Sequence, residues 1–147
     1  LEFRRVLFRS CEALQRGAGA VLAVERQRQV AALARANLEA VRRGLAATSQ
    51  PTEVEVLAEE VVRVLRRGRG DRARFDLAYA DPPYAAGLYE PLAEALRRDW
   101  LAPDGLLILE HASASPLPVP GGWRELDRRR YGSCGLLLLE GVGEPTS

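Results

Sequence analysis

Short apolar runs alternate along the chain with longer amphipathic runs. Residues 20–24, 75–80 and 106–110 are almost unbroken apolar segments, which is typical of strands buried on both faces of a parallel sheet. Residues 26–43 instead repeat their apolar side chains at helical spacing, which places Val30, Leu33, Ala34, Leu38 and Val41 on one face. This alternation predicts an α/β fold whose sheet is parallel for most of its width.

Weaker patterns complete the predicted order of elements. Strands are predicted where apolar residues alternate with polar ones, and loops where proline, glycine and serine accumulate. Asp104-Gly105 is a turn signal. The further predictions are a strand at 53–57, helices at 59–65 and 87–99, loops at 100–105 and 112–122, and closing strands at 123–126 and 135–140 joined through 128–132.

The central apolar run leads directly into Asp81-Pro82-Pro83-Tyr84. Prolines cannot donate hydrogen bonds to a sheet, so the strand is expected to end at Asp81. In open α/β sheets ligands bind just beyond the carboxyl ends of the strands. The tetrapeptide is therefore a candidate binding or catalytic segment.

The residue types in this segment suit one kind of chemistry. A carboxylate and proline-fixed carbonyls at Asp81 and Pro82 can accept both hydrogens of an exocyclic amine, and Tyr84 can stack on a nucleobase, which contributes about 1–3 kcal/mol per base. The alternative is a Pro-Pro loop in which Asp81 caps the next helix and Tyr84 is a packed aromatic. Four residues alone leave both interpretations open.

Glu25 is a second candidate, because it follows the apolar run 20–24 and precedes a predicted helix. An acid at that position holds ribose hydroxyls in Rossmann-type folds. It is equally an acid favoured by the helix dipole.

Composition narrows the function classes. The 147 residues suffice for one domain, and a formal net charge of +1 argues against a wholly basic nucleic-acid-binding surface. All the basic residues except one histidine are arginines. Two cysteines without metal-ligand spacing and the single His111 give no basis for a zinc site or a Ser-His-Asp triad. No apolar run is long enough to span a membrane, and the first residues form no secretory signal.

The start of the chain differs from the rest. The sequence contains no Met and begins Leu1-Glu2, and residues 1–10 follow neither a period of 2 nor one of 3.6. Residues 11–16 resemble the end of a helix closed at Gly17. We therefore expect a leader at 1–10 that is not native to the domain, in a chain that is not a natural full-length product.

Several motifs occur in an order that resembles one family. Glu-Ala-Leu-Gln-Arg-Gly-Ala (12–18) precedes the strand that ends at Glu25, and Ala36-Asn37-Leu38 lies in the following helix. Asp-Pro-Pro-Tyr (81–84), Glu110-His111 and Arg-Tyr-Gly (130–132) come later. Over nearly all of residues 11–142 this resembles the bacterial 16S rRNA guanine-N2 methyltransferases, the family that modifies guanine 966.

The resemblance implies a class I methyltransferase with a Rossmann-like sheet, one antiparallel strand near its edge, and S-adenosylmethionine as cofactor. Glu25 matches the acid that holds the cofactor ribose, and Glu60 falls where the family usually has an Asp near the adenine. Residues 81–84 (Asp81, Pro82, Pro83 and Tyr84) match the motif that binds the target amine, with Asp81 also near the cofactor. Arg130 and Tyr131 match a late motif to which the residues alone assign no role.

The sequence differs from the family in the segment that would bind the cofactor. Ahead of the 12–18 motif the family has a strand and an Asp-x-x-Ala-Gly-Ser-Gly loop, whereas residues 1–11 contain no glycine. We therefore expect a partial methyltransferase domain at 11–142 with a missing or replaced first strand and glycine loop, followed by a tail at 143–147. On this basis the 147-residue chain itself should bind the cofactor weakly and be inactive.

The resemblance also implies partners, and two alternative functions stay open. The expected partner is 16S rRNA or an assembly intermediate of the small ribosomal subunit, in the cytoplasm, with a monomeric enzyme and neither membrane nor metal. One alternative is a DNA or protein amino-methyltransferase, although those usually open the motif with Asn rather than Asp81. The other is an inactive Rossmann-like fragment in which residues 81–84 are only a structured loop.

Overall fold

The computed structural model describes residues 20–45, 53–80 and 89–143, and the chain divides into two compact units, Leu1–Val61 and Val62–Ser147. The predicted leader, the 12–18 motif, the family's glycine-loop position and Asp81 to Tyr84 lie outside the described residues. The extents predicted for the domain and for its flanking segments stay predictions.

The first unit contains two parallel strands and one helix. Strand β1 (Ala20–Val24) pairs in register with β2 (Glu53–Leu57), and helix α1 (Arg28–Leu45) connects them in the chain. Of the side chains that helical spacing placed on one face of α1, Ala34 and Leu38 are buried against β1 and β2, whereas Leu33 is 58% exposed, contrary to the prediction. This core consists of Ala23, Ala31, Ala34, Leu38 and Val56, with Val41 and Val54 packed against it.

The second unit is a four-stranded sheet with its helices. The elements are helix α2 (Val61–Arg67), strand β3 (Phe75–Ala80), helix α3 (Tyr89–Ala95) continued by a π-helical turn (Leu96–Trp100), and strands β4 (Leu101–Ala112), β5 (Trp123–Tyr131) and β6 (Cys134–Gly141). The spatial order is β3-β4-β6-β5.

The strand directions confirm the predicted fold class. Strand β4 is parallel to β3, and β6 is antiparallel to both β4 and β5, so β3, β4 and β5 share one direction. With β1 and β2 also parallel, β6 is the one antiparallel strand among the described residues. It lies next to β5, the edge strand of this sheet in the described part of the chain, as the family resemblance implied.

One face of the four-stranded sheet forms the core of the second unit. Leu107 and Leu109 of β4 lie beside Leu139 and Leu137 of β6, and all four are fully buried. Helix α3 is connected to this region by Trp123, whose Nε1–H donates to the carbonyl of Ala93 at 3.2 Å. The apolar run 106–110 is therefore buried on one face of β4, whereas Leu106 on the other face is 39% exposed, so its predicted burial on both faces is wrong.

Helices α1 and α2 each begin two residues later than predicted. Glu25 N–H still donates to the carbonyl of Leu57 at 2.9 Å, and the first helical bond runs from Ala31 N–H to the carbonyl of Gln27. The residues between Val24 and Arg28 therefore connect the end of β1 to the capped N-terminus of α1. Helix α2 continues to Arg67 and is followed by Gly68 at φ 90°, a conformation that glycine adopts without strain.

The loop predicted at 100–105 is wrong, because β4 already begins at Leu101, which pairs with Phe75. The register then shifts, so that Leu77 pairs with Leu106. A side-chain carbon at Gly105 would lie 2.9 Å from the carbonyl oxygen of Ala102, which shows how tightly the chain bends there. The Asp-Gly signal therefore marks a bulge within a strand.

The connection predicted at 128–132 is also wrong, since β5 continues to Tyr131 and the turn is at 132–133. The arginines lie in an exposed edge strand, where a strand needs no apolar alternation. Arg128 and Arg129 form ion pairs with Glu125 (2.8 Å) and Asp127 (2.7 Å). The hydrogen bond from Arg129 and that from the Arg128 backbone hold the pKa of Asp127 below its ordinary value.

Candidate functional site

Glu25 stands directly beyond the carboxyl end of β1 and is 6% exposed. Its Oε1 accepts a hydrogen bond from the N–H of Gln27 at 3.1 Å, so one carboxylate oxygen caps the entry into α1. Its Oε2 is buried, and no hydrogen-bond partner for it exists among the described residues. A buried carboxylate oxygen without a donor is costly, because it has lost its water without replacement.

The capping interpretation of Glu25 therefore applies to Oε1, and the cofactor interpretation, which Oε2 leaves open, stays a prediction. The first oxygen makes the helix-capping contact, and the second is available to a hydroxyl donor. A ligand that brings such a donor to the carboxyl end of β1 would satisfy Oε2. The ribose of S-adenosylmethionine carries hydroxyls of this kind, so the residues present fit that cofactor.

Glu60 lies at the same edge of the first unit, three residues beyond the end of β2, and is exposed. Parallel strands end at the same edge of a sheet, and the hydrogen bond from Glu25 N–H to Leu57 O ties the two strand ends together. The fold thus brings Glu25 and Glu60 to one edge, as a common cofactor site requires.

Asp81 to Tyr84 are outside the described residues, but the residues before and after them are described. Strand β3 ends at Ala80, which is buried, and helix α3 begins at Tyr89. The described residues stop at Ala80, so the prediction that the strand ends at Asp81 stays a prediction. The roles predicted for the four motif residues stay predictions.

The structure also shows a polar cluster that the sequence did not reveal. Tyr79 Oη donates to Oε2 of Glu110 at 2.5 Å, and the thiol of Cys134 donates to Oε1 at 2.9 Å. Tyr89 Oη donates to the main-chain carbonyl of Glu110 at 3.0 Å. The sequence marked Glu110 as a strand end, but its partners are 21 to 31 residues away and depend on a strand register that no local pattern shows.

His111, next to Glu110, packs against β6. Its Nδ1 lies 2.9 Å from the carbonyl oxygen of Ala112, and a side-chain carbon at Gly135 would lie 2.4 Å from Cε1 of the imidazole ring. The ring therefore occupies the space that only a glycine leaves free. His111 acts here as a packed side chain of the sheet.

Replacing Gly135 with alanine should destabilise the protein by about 1–3 kcal/mol, because the new methyl group overlaps the His111 ring in a packed region. Equilibrium urea unfolding measures the loss. Gly121→Ala is the matched control, since nothing lies within 4 Å of a side-chain carbon there. Adding His111→Ala should recover much of the loss, and equal stability of Gly135→Ala and the unchanged protein would contradict the packing.

Arg130 and Tyr131 are exposed near the end of the edge strand β5, with Tyr131 59% accessible. In the described ranges no group of three or more His, Cys, Asp or Glu side chains is arranged to hold a metal ion. No helix in the same part of the chain is long and apolar enough to cross a membrane.

Comparison with known proteins adds a family match. The family model described as conserved hypothetical protein 95 matches residues 9–140, which is most of the chain. No curated protein matches the sequence.

Solved structures resemble the chain along nearly its whole length. A protein of Haemophilus influenzae named "putative methylase" has a TM-score of 0.74 and 24% identity, covering 97% of this chain and 86% of its own. A conserved hypothetical protein of Streptococcus pyogenes has a TM-score of 0.70 and 23% identity over 97% and 86%. An rRNA methyltransferase of Streptomyces viridochromogenes has a TM-score of 0.68 and 14% identity over 93% and 74%. At these identities the likeness shows the fold.

Proposed function

Because the chain belongs to the conserved hypothetical protein 95 family and has the α/β fold of class I methyltransferases, we propose that it is part of an S-adenosylmethionine-dependent RNA methyltransferase. The proposed target is the exocyclic N2 amine of a guanine in 16S rRNA. The naming of one structural neighbour as an rRNA methyltransferase supports an RNA substrate. The Asp-Pro-Pro-Tyr sequence supports an amine as the acceptor.

The observation that carries the proposal is the Glu25 carboxylate. Its Oε2 is buried without a donor in the described part of the chain, at the strand end where class I folds hold a ribose. A charged acceptor that receives hydroxyl hydrogen bonds makes stronger bonds than a neutral acceptor does. Glu25 would hold the ribose hydroxyls, and Glu60 at the same edge would lie towards the base of the cofactor.

The residues of the chain are proposed to act mainly by orienting the target amine towards the methyl group of the cofactor. When bound, S-adenosylmethionine supplies an electrophilic methyl group on a positively charged sulfur. The carboxylate of Asp81 and the carbonyl of Pro82 accept the two hydrogens of the amine, so its lone pair is turned away from the ring and towards the methyl group. Pro82 and Pro83 restrict the backbone, and well-aligned groups reach effective molarities of about 10⁵ M or more.

The proton of the amine needs no strong base. Once the nitrogen carries the methyl group it is positively charged, and its proton passes to the Asp81 carboxylate or to water. Tyr84 stacks on the base, which must leave its helix or lie in an unpaired loop to enter the pocket.

The substrate is tested with ribosomal RNA. The intact gene product is incubated with labelled cofactor and small-subunit RNA from cells that lack the modification, and digested nucleosides are separated. Label in N2-methylguanosine is the expected result. Label in DNA or in glutamine side chains would favour the rival amino-methyltransferases, and absence of cofactor binding would favour an inactive fragment.

Glu25→Gln should weaken S-adenosylmethionine binding about ten- to a hundredfold in the intact gene product, because it removes the charge that strengthens the ribose hydrogen bonds. Isothermal titration with the cofactor measures this, and RNA affinity should stay unchanged. Glu39→Gln is the control, since Glu39 forms only an exposed pair with Arg42 at 2.8 Å on α1. Unchanged cofactor affinity in Glu25→Gln would leave Glu25 with its helix-capping role alone.

A further inference from the structure

Strand β5 ends at the same edge of the four-stranded sheet as β4. The two strands share one direction, because β6 is antiparallel to both. Tyr131, the last residue of β5, pairs with Cys134 of β6, and Cys134 pairs on its other side with Ala112, the last residue of β4. The end of β5 is therefore level with the end of β4 and two strand spacings, about 10 Å, away from it. Open α/β sheets bind their ligands beyond this edge.

The turn after β5 is fixed to the residue that follows β4. Ser113 N–H donates to the carbonyl of Ser133 at 2.8 Å, and Ser113 Oγ donates to the carbonyl of Gly132 at 2.9 Å. Gly132 has a φ of 60°, which glycine adopts without strain. The hairpin end therefore has a defined backbone position at this edge, although the side chains that lead into it are exposed.

Arg130 differs from the other arginines of β5 in its lack of a carboxylate partner. The other three each form an ion pair: Arg124 with Glu140, Arg128 with Glu125, and Arg129 with Asp127. The side chain of Arg130 is exposed and makes neither an ion pair nor a hydrogen bond within the described part of the chain. Its planar guanidinium therefore keeps its charge and its donors for an anion from outside the protein.

Tyr131 adds an aromatic ring directly beside this charge. Its side chain is tied to Arg129, because hydrogen bonding first to Asp127 and then to Tyr131 raises the pKa of the Arg129 guanidinium above its ordinary value. Tyr131 nevertheless remains 59% exposed. One exposed aromatic residue is ordinary on a protein surface. An exposed aromatic next to an arginine without a partner, at the ligand-binding edge of a sheet, combines the two groups that bind single-stranded nucleic acid.

We propose that Arg130 and Tyr131 form a contact for unpaired RNA, in which the guanidinium binds a backbone phosphate and the tyrosine ring stacks on a base. The choice of RNA rests on the proposed function, which this contact extends to a substrate-binding surface. Neighbouring residues of a strand point to opposite faces of the sheet, so the RNA crosses the end of β5 and does not follow one face. The phosphate contact acts on any RNA, whereas stacking on the ring requires a base that is not paired.

Binding of labelled RNA to the 147-residue chain tests this contact without cofactor or activity. Fluorescence anisotropy is measured over a range of salt concentrations, with a short unpaired RNA and with the same RNA annealed to its complement. Paired and unpaired RNA carry the same backbone phosphates, so a comparison of the two separates the contribution of stacking from that of charge.

Arg130→Gln should weaken the binding of both RNAs about three- to tenfold at low ionic strength, because one phosphate contact is lost. For the unpaired RNA the slope of log K against log salt should become shallower by about 0.7. Arg98→Gln is the matched control, since Arg98 is also an exposed arginine but lies in the π-helical turn directly before β4, at the opposite edge of the sheet. It should leave both the affinity and the slope unchanged.

Tyr131→Ala should weaken the binding of unpaired RNA about five- to a hundredfold, which corresponds to the loss of one stacked base. The affinity for the duplex and the salt dependence should stay unchanged, because no charge is removed. Tyr131→Phe keeps the ring and should bind almost as the unchanged chain does. Since Tyr131 and Arg130 are exposed, circular dichroism should show the same fold in all these variants.

Three results would overturn the contact. They are equal losses in Arg130→Gln and Arg98→Gln, a loss of duplex binding in Tyr131→Ala as large as that of unpaired RNA, and absence of RNA binding by the unchanged chain. Methylation of RNA by an intact gene product whose RNA affinity ignores both substitutions would keep the proposed function and reject this surface. If the intact gene product methylates no RNA, the proposed function fails, whereas the binding results still decide whether Arg130 and Tyr131 hold RNA.

Discussion

Replacing Asp81 with alanine should lower kcat for methyl transfer by about 10²–10³-fold in the intact gene product, while the affinity for S-adenosylmethionine stays within a few-fold. The carboxylate is proposed to accept a hydrogen of the target amine and to orient its lone pair, and these contacts matter most as the new bond forms. Single-turnover transfer of labelled methyl to RNA measures the rate, and titration calorimetry measures the affinity.

Asp76→Ala is the matched control for Asp81→Ala. Asp76 is an exposed residue of β3, five positions before Asp81 in the sequence, so the same substitution there should leave the rate unchanged. Cofactor binding that falls as steeply as turnover in Asp81→Ala would remove Asp81 from the amine-holding role. It would assign the residue to the cofactor instead.

Trp100→Ala should cost about 3–5 kcal/mol of unfolding free energy, a large part of what a domain of this size has. Trp100 is fully buried, and its ring is stacked on Phe75 with centroids 6.1 Å apart. Its Nε1–H donates to the carbonyl of Leu65 at 2.9 Å. Truncation therefore leaves a cavity and also a buried carbonyl without this donor.

Urea unfolding followed by circular dichroism measures the effect of Trp100→Ala. Trp100→Phe should cost less, because it keeps most of the ring and loses mainly the hydrogen bond to Leu65. Leu126→Ala is the control, since Leu126 is 48% exposed and its truncation should change stability by about 0.5 kcal/mol or less. A loss from Trp100→Ala no larger than that of Leu126→Ala would contradict the packing described for the second unit.

The sequence predicted the strands of the fold best where burial on both faces forces an apolar run. The described extents of β1 and β3 coincide with the predicted runs for this reason, whereas β2 was predicted from its alternation of apolar and polar residues. The antiparallel position of β6 near the edge was implied by family resemblance, because the direction of a strand leaves no trace in its own residues. The start of α1 was predicted two residues early, since the backbone of Glu25 still pairs with β2.

The two segments that were wrongly predicted as loops, 100–105 and 128–132, were mispredicted for the same reason. Pro103-Asp104-Gly105 and the arginines of 128–131 have the composition of loops, yet both belong to strands. In the first case the strand absorbs a tight bend as a bulge beside β3. In the second, ion pairs and solvent replace apolar packing. Composition reports how polar a segment is, whereas hydrogen bonding to a neighbouring strand decides its conformation.

Only part of the candidate site could be predicted from the sequence. Glu25 was found because an acid at a strand end has a recognisable place in the chain, but its two differently bonded oxygens could not be foreseen. Glu110 was seen only as the end of a strand. Its bonds to Tyr79 and Cys134 require the lateral register of three strands, which long-range pairing sets.

Strand β5 carries a consequence for self-association. In the described part of the chain it forms the outer edge of the four-stranded sheet, and an open edge is a template on which another copy can add a strand. Parallel, in-register addition of a second β5 would bring the arginine runs of the two copies side by side, and like charges directly opposite each other are destabilising. The repulsion is screened by salt, so aggregation through this edge is opposed most strongly at low ionic strength. The arginines that give β5 the composition of a loop thus oppose the addition of another strand at this open edge.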